Sequence, residues 1–423
     1  MKKLVLGLMM LPLLGRGQTL EECQQAAEKN YPLIRQYGLI EKTTQLTLSN
    51  IEKGWLPQLS AQAQATYQSD VTAWPDEMKT MMSGMGIDMK GLKKDQYRIG
   101  IDVEQRLYDG GMISSQKRIA REQGKVEAAQ NEVSIYGVRK RVNEMYFGLL
   151  LIDEQMKLNS DLQTLLSGNE RKLESMTKRG TAAESDLQSV KAERLNAVQK
   201  GTELASQKHM LTAMLSAFCG MEVRKPEKPA RAQRCPSQHN VQRPEVKVID
   251  AQIGLLNAQE KALNAALKPK VGVFVQGFYG YPGLNMFEDM MRHKWSLNGI
   301  IGARVTWNIG ALYTRKNDKA KVQLQRDVAE RSRETFLFNN NLEQIQQREN
   351  ISRYEKLMAH DVEIIALRKA VRKAAESKLA HGIIDVNDLV REINQENVAC
   401  VQQSVHEIEM LKEIYDNKYT TNN

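Results

Sequence analysis

Hydrophobic and polar positions change period several times along this chain, and the changes mark its elements. From residue 58 to residue 67, Leu59, Ala61, Ala63, Ala65 and Tyr67 alternate with Gln58, Ser60, Gln62, Gln64 and Thr66. A second run alternates Tyr97, Ile99, Ile101 and Val103 with Arg98, Gly100, Asp102 and Glu104. Two later runs carry Val271, Val273 and Val275, then Trp295, Leu297, Ile301, Val305 and Trp307. Period-two patterning is the mark of a strand with two unlike faces. It predicts strands over 58–71, 96–108, 270–281 and 295–309. Runs of about 10 to 13 residues are long enough to cross a bilayer when tilted.

Elsewhere the period is helical. No proline falls between Met112 and Thr177, and Val138, Val142, Met145, Leu149, Ile152 and Met156 recur at spacings of four and three. That is a heptad seam, the pattern of a helix that keeps one stripe against a neighbour over many turns. A helix of this length extends roughly 100 Å at 1.5 Å per residue. Residues 311–378 offer a second helix of the same kind, and 184–219 and 386–418 return from the two. Helices over 34–53 and 245–266 precede the first strand of each pair and end before Pro57 and Pro269. Proline supplies no donor and turns its predecessor away from helix.

The elements recur in order, which indicates an internal repeat. Tyr31-Pro32, Pro57 and Tyr67 answer Arg243-Pro244, Pro269 and Tyr279 at one offset of 212 residues. Tyr108-Asp109-Gly110-Gly111 answers Asn308-Ile309-Gly310-Ala311 at 200, and Gly180 with Asp186-Leu187 answers Gly382 with Asp388-Leu389 at 202. The expected organisation is a first repeat over 18–223, a proline-punctuated linker over 224–242 and a second repeat over 243–423. Residues 1–17, with Lys2-Lys3, an apolar run from Leu4 to Leu14, and Gly15 and Gly17 near the end, read as a secretory signal peptide.

Composition refines this picture. The chain has 423 residues, of which 26% are charged and 6% aromatic. Its mean hydropathy of −0.50 excludes a bundle of apolar transmembrane helices and leaves β-spans open. Losing Lys2, Lys3 and Arg16 lowers the net charge from +9 to +6. The rest is spread as mixed signs, so a solvated helix surface is expected and nucleic acid is not a partner. All four Trp lie in or near the strands, as an interfacial aromatic girdle requires.

Cys23, Cys219, Cys235 and Cys400 form no metal-ligand spacing. Cys219 and Cys235 flank the linker, either as a disulfide or as two unpaired thiols. Met78, Met81, Met82, Met85 and Met89 lie between the first two strands. Thioethers suit Cu(I), but a surface loop or short amphipathic helix is the preferred reading. No HExxH, P-loop, GxSxG or dinucleotide fingerprint occurs, so no catalytic, cofactor or metal site is expected and the chain is not read as an enzyme.

Four strands cannot close a membrane barrel, because the smallest single-chain barrels have about eight. An open edge in lipid costs several kcal/mol per unpaired backbone group. The strands must therefore be pooled between copies: two chains supply eight and three supply twelve, and only the larger barrel leaves a polar lumen. A periplasmic coiled-coil scaffold or adaptor without a pore would share the heptads and the signal peptide, yet would have no use for four such strands.

These features resemble the outer-membrane efflux proteins of the TolC type, over essentially the whole mature chain. The resemblance rests on Thr19-Leu20-Glu21-Glu22-Cys23 through Asn30-Tyr31-Pro32, on Pro57 and Pro269 at the strand starts, and on Leu107 to Gly111. Trp307 to Gly310 and the two glycine turns followed by Asp-Leu complete it. It implies a mainly α protein with membrane β-structure: a homotrimer whose 12-stranded barrel in outer-membrane lipid continues as a 12-helix periplasmic barrel. It implies partnership with a periplasmic adaptor and an inner-membrane pump, as the exit duct of a tripartite efflux or type I secretion system.

The resemblance also assigns roles. Pro57, Gly110, Gly111, Pro269 and Gly310 become barrel–helix junctions. Gly180, Thr181, Leu187, Gly382, Ile383 and Leu389 become the adaptor-docking turns, and Asp186 and Asp388 the periplasmic gate, where carboxylate rings draw cations. The family pattern can place another Asp where this chain has Arg391, and a cation there offsets Asp388. Locally, Thr181 with Glu184 reads as a capping box, Asp385 as an N-cap, and Gly180 and Gly382 as left-handed helix stops.

Overall fold

Alternation becomes strand and the proline-free stretches become helix in the computed structural model, which describes residues 18–230 and 243–422. The proposed signal peptide, and Cys235 with most of the linker, lie outside the described residues. The first half runs α1 (Leu20–Asn30), α2 (Gln36–Glu52), β1 (Gln58–Tyr67), α3 (Asp76–Ser83), β2 (Asp95–Tyr108), α4 (Met112–Lys178) and α5 (Glu184–Cys219). The second runs α6 (Pro244–Ala266), β3 (Lys270–Tyr281), α7 (Met286–Arg292), β4 (Ser296–Thr306), α8 (Ala311–Ala380) and α9 (Val386–Thr421).

β1 stops four residues short of the expected end. Asp70 Oδ1 accepts the Val71 N–H at 2.8 Å and turns the chain out of the ladder. β4 ends at Thr306 because Ile309 and Gly310 already accept the first N–H groups of the next helix. Met78, Met81 and Met82 lie on α3, a short surface helix. Among the described residues no helix is long and apolar enough to cross a membrane.

The chain divides into two compact units, each drawing on both halves of the sequence. One comprises residues 38–128 and 249–331 and holds an antiparallel sheet in the order β1-β2-β3-β4. Register aligns Leu59, Val103, Val275 and Ile301 in one row, and Ala63, Ile99, Tyr279 and Leu297 in another. These rows share a face, because residues two apart on a strand point the same way. Leu59, Ile99, Val275, Tyr279, Leu297 and Ile301 are all exposed on it. An apolar face this continuous is not a feature of a solvated surface. Tyr97 stacks on Trp295 along it, with ring centroids 6.0 Å apart.

The opposite face carries Gln58, Ser60, Gln62 and Gln64 with Arg98, Asp102 and Glu104. It is less uniformly polar than the alternation implied, since Phe274 and Phe278 also lie there, opposite Glu104 and Gly100. Arg98 sits 3.5 Å over the Phe278 ring and Arg304 4.9 Å over Phe274, so each aromatic is roofed by a guanidinium. Among the described residues β1 and β4 each pair on one side only, which leaves two open edges.

The other unit comprises residues 18–37, 129–248 and 332–422 within the described chain and is helical. Val138, Val142, Met145, Leu149 and Ile152 of the heptad seam are all buried. Most of them join a core with Leu20, Cys23 and Ala27 of α1, Leu215 and Cys219 of α5, and Ile408, Leu411 and Ile414 of α9. Two smaller cores lie further along the hairpins, around Leu166, Ala375 and Ile393, and around Leu173, Val190 and Val386.

Candidate functional site

In the sheet unit the first junction is built around Asp109. Its carboxylate accepts the Gly111 N–H at 2.8 Å and the Ile113 N–H at 2.6 Å, satisfying donors that the start of α4 leaves free. Gly110 and Gly111 take φ values of 73° and 88°, and a Cβ on Gly110 would lie 2.8 Å from Lys268 Cβ. Sequence reasoning singled out the glycines and missed the buried carboxylate between Tyr108 and Gly110, although an Asp three residues ahead of a helix is a readable capping signal.

The second junction is not a copy of the first. Gly310 has no left-handed backbone, and the nearest atom to a Cβ there would be 3.5 Å away. Ile309 and Gly310 instead accept the Leu312 and Tyr313 N–H groups, while Trp307 Nε1 donates to Leu267 O at 2.9 Å. The glycine turn expected after each strand pair is thus built differently at Gly310 from the one at Gly110-Gly111. Pro57 and Pro269 each sit immediately before a strand, where a missing N–H costs no ladder bond.

In the helical unit the two hairpin turns lie side by side. Gly180 and Gly382 are left-handed, at φ 74° and 70°. Each ends its helix with paired backbone bonds: Gly180 N to Thr177 O and Thr181 N to Met176 O, then Gly382 N to Leu379 O and Ile383 N to Lys378 O. Thr181 does not cap the next helix as its spacing with Glu184 suggested. Its hydroxyl donates back to Met176 O at 3.0 Å, α5 begins after Ala183, and the Asp186 carboxylate accepts the Ala183 N–H at 3.3 Å. At the second turn Asp385 does cap α9, accepting the Asp388 N–H at 2.8 Å.

Burial separates the expected docking residues. Ile383 is 69% exposed, and Gly180, Thr181 and Gly382 are exposed with it. Leu187 and Leu389 are 6% and 1% exposed, so they do not form a contact surface. Leu187 packs with Leu173 and Val386, and Leu389 with Leu166 and Ile393, which locks the two hairpins to each other. The hairpins enclose a cleft of about 870 Å³ whose walls include Arg171, Arg179, Thr181, Asp186, Ile384 and Asp385.

The acidic pair is also unequal. Asp388 meets Arg391 at 3.2 Å, and Arg391 lies 3.6 Å from Glu392, which also faces Arg368 at 3.7 Å. Asp186 spends its carboxylate on the helix start instead. Further pairs cross between helices, including Arg194 with Glu170 at 2.6 Å and Asn394 with Glu193 at 2.8 Å. Among the described residues no three His, Cys, Asp or Glu side chains are grouped to hold a metal ion.

No protein-family model matches the chain, and no curated protein matches it by sequence. Its structure nevertheless superimposes over nearly its full length on solved outer-membrane channels. It is similar to the outer-membrane channel OprN, with a TM-score of 0.69 and 14% identity over 95% of this chain and 89% of that one. It is similar to the Campylobacter jejuni CmeC outer-membrane channel, at 0.66 and 14% over 95% and 85%. The open state of the Neisseria gonorrhoeae MtrE outer-membrane channel gives 0.67 and 14% over 96% and 89%. The fold is that of TolC-type outer-membrane channels.

Proposed function

We propose that this protein is an outer-membrane efflux duct, active as a homotrimer. The observation that carries the reading is the four-stranded sheet, which has one exposed apolar face, one polar face and two open edges. Lipid covers the apolar face, and the polar face, with Arg98, Arg304, Asp102 and Glu104, lines a water-filled lumen. β1 of one copy pairs with β4 of the next, so three chains close a 12-stranded barrel and no edge remains.

The helical hairpins extend into the periplasm as a 12-helix barrel. Gly180, Thr181, Gly382 and Ile383 meet a periplasmic adaptor, which links the duct to an inner-membrane pump, so that cargo leaves the cell in one step. Asp186 sets the charge of the closed mouth, and the Asp388–Arg391 pair reduces the contribution of the second turn. The fold likeness to OprN, CmeC and MtrE supports the duct, and the two hairpin turns support the docking role.

The test is reconstitution. Protein extracted in detergent from the outer-membrane fraction and added to a planar bilayer is expected to give discrete conductance steps. Recovery in a soluble periplasmic extract, with no conductance, overturns the reading.

A further inference from the structure

We infer that Cys23 and Cys219 form a structural disulfide in the exported protein, stapling α1 to the end of α5. The inference rests on the export reading above for its oxidising compartment, and on the helical unit for its geometry. α1 has 11 residues, too few for a stable isolated helix in water, so its order depends on docking. It docks on Leu20, Cys23 and Ala27, all 0% exposed.

The surface it meets is the last turn of α5. Asn30 Nδ2 donates to Ala217 O and Phe218 O, each at 3.1 Å, and Tyr31 stacks on Phe218 with centroids 5.8 Å apart. Between these contacts Cys219, 4% exposed, donates its thiol to Cys23 O at 3.4 Å. Contact with Cys219, then burial, pushes the Cys23 thiol up, and the hydrogen bond from Cys23 pulls Cys219 down.

A buried cysteine is a serviceable small hydrophobe on its own. Two of them meeting 196 residues apart in sequence, at the anchor of a terminal helix, do more once exported. Disulfides persist in the periplasm, and closing so long a loop restricts the unfolded chain strongly. Cys400 lies on α9, half-buried, and is not part of the pair.

The donor is a disulfide-carrying thiol oxidoreductase of the exported compartment. One thiolate of the pair attacks a donor sulfur, breaking the donor S–S bond and releasing one donor thiolate. The second thiolate attacks the resulting mixed disulfide and releases the other. The donor gains two electrons and, on its two thiols, the two protons lost by Cys23 and Cys219. Because both sulfurs are buried in the folded unit, the exchange precedes the docking of α1.

The test is peptide mapping of the exported full-length chain, alkylated with N-ethylmaleimide during denaturation and digested without reductant. A Cys23–Cys219 linked peptide pair that separates on reduction is the expected result. Alkylation of both residues without reductant, or a link from Cys219 to Cys235, overturns the inference. In parallel, the reduced full-length chain is unfolded and then refolded in detergent with oxidised glutathione present, so that both thiols are reachable before α1 docks, a step that does not depend on export. Formation of the Cys23–Cys219 link there supports the pairing even if the chain fails to fractionate with the outer membrane, and its absence refutes the pairing. The melting temperature of the linked protein is expected to fall on reduction, whereas that of Cys23→Ser does not respond to reductant.

Discussion

Asp388 and Arg391 form an ion pair across the first two turns of α9, with 3.2 Å between carboxylate and guanidinium. Both groups are substantially exposed, so the pair stabilises the fold by only about 0.2–0.5 kcal/mol. Its consequence is for charge at the proposed mouth. Arg391→Ala unmasks a carboxylate in each copy and is expected to shift the reversal potential in a salt gradient toward that of the cation. Asp388→Ala shifts it the opposite way. Bilayer recordings check both, and an unchanged reversal potential in both variants contradicts a role at the mouth.

Gly110 and Gly310 occupy matching places in the sequence and unlike places in the structure. Gly110→Ala forces a side chain into a left-handed position and against Lys268, for an expected loss of at least about 1–2 kcal/mol. Gly310→Ala, without either conflict, is expected to be neutral within about 0.5 kcal/mol. Thermal unfolding of the two variants in detergent measures the difference directly.

Asp109 caps α4, its two carboxylate oxygens accepting the Gly111 and Ile113 N–H groups. Asp109→Ala is expected to cost about 1–2 kcal/mol, with Asp109→Asn and Asp109→Ser recovering part of it. Thermal unfolding ranks the three.

Asp416 is held above the usual carboxylate range by burial, against the opposing hydrogen bond from Asn143 at 3.2 Å. A carboxyl whose folded value is raised binds more protons folded than unfolded. The folded state therefore loses stability as pH rises from the unfolded value through the raised one. Asp416→Asn keeps an acceptor for Asn143 and removes the charge. Melting temperatures across pH 4 to 7, a range that starts at the ordinary carboxylate value of about 4 and runs upward through the raised one, are expected to fall less with rising pH in the variant than in the parent.

Much of this fold was legible because its elements are long and strongly periodic. The four alternating runs became β1 to β4, and the Val138–Ile152 seam became a buried stripe. What local pattern could not reveal depends on neighbours distant in sequence. Nothing in residues 95–108 announces pairing with 270–281, yet that register joins the two halves of the sheet. Leu187 and Leu389 read as turn residues, and only the packing of hairpin on hairpin buries them. Phe274 and Phe278 broke the polar alternation, and their guanidinium roofs come from other strands. The Thr181 misreading has a local cause: its hydroxyl folds back onto the Met176 carbonyl, which also accepts the Arg179 and Thr181 N–H groups at the end of α4. The Thr19–Glu22 capping box at the start of α1, by contrast, was there to be read.

The central claim is that three chains pool their strands. The most direct measurement is the polypeptide mass of the complex extracted in mild detergent from the outer-membrane fraction, determined by light scattering with the detergent subtracted. The account predicts three times the mass of one mature chain, dissociating to the single-chain mass only after heating. A species with the mass of one chain, before heating and in mild detergent, contradicts it.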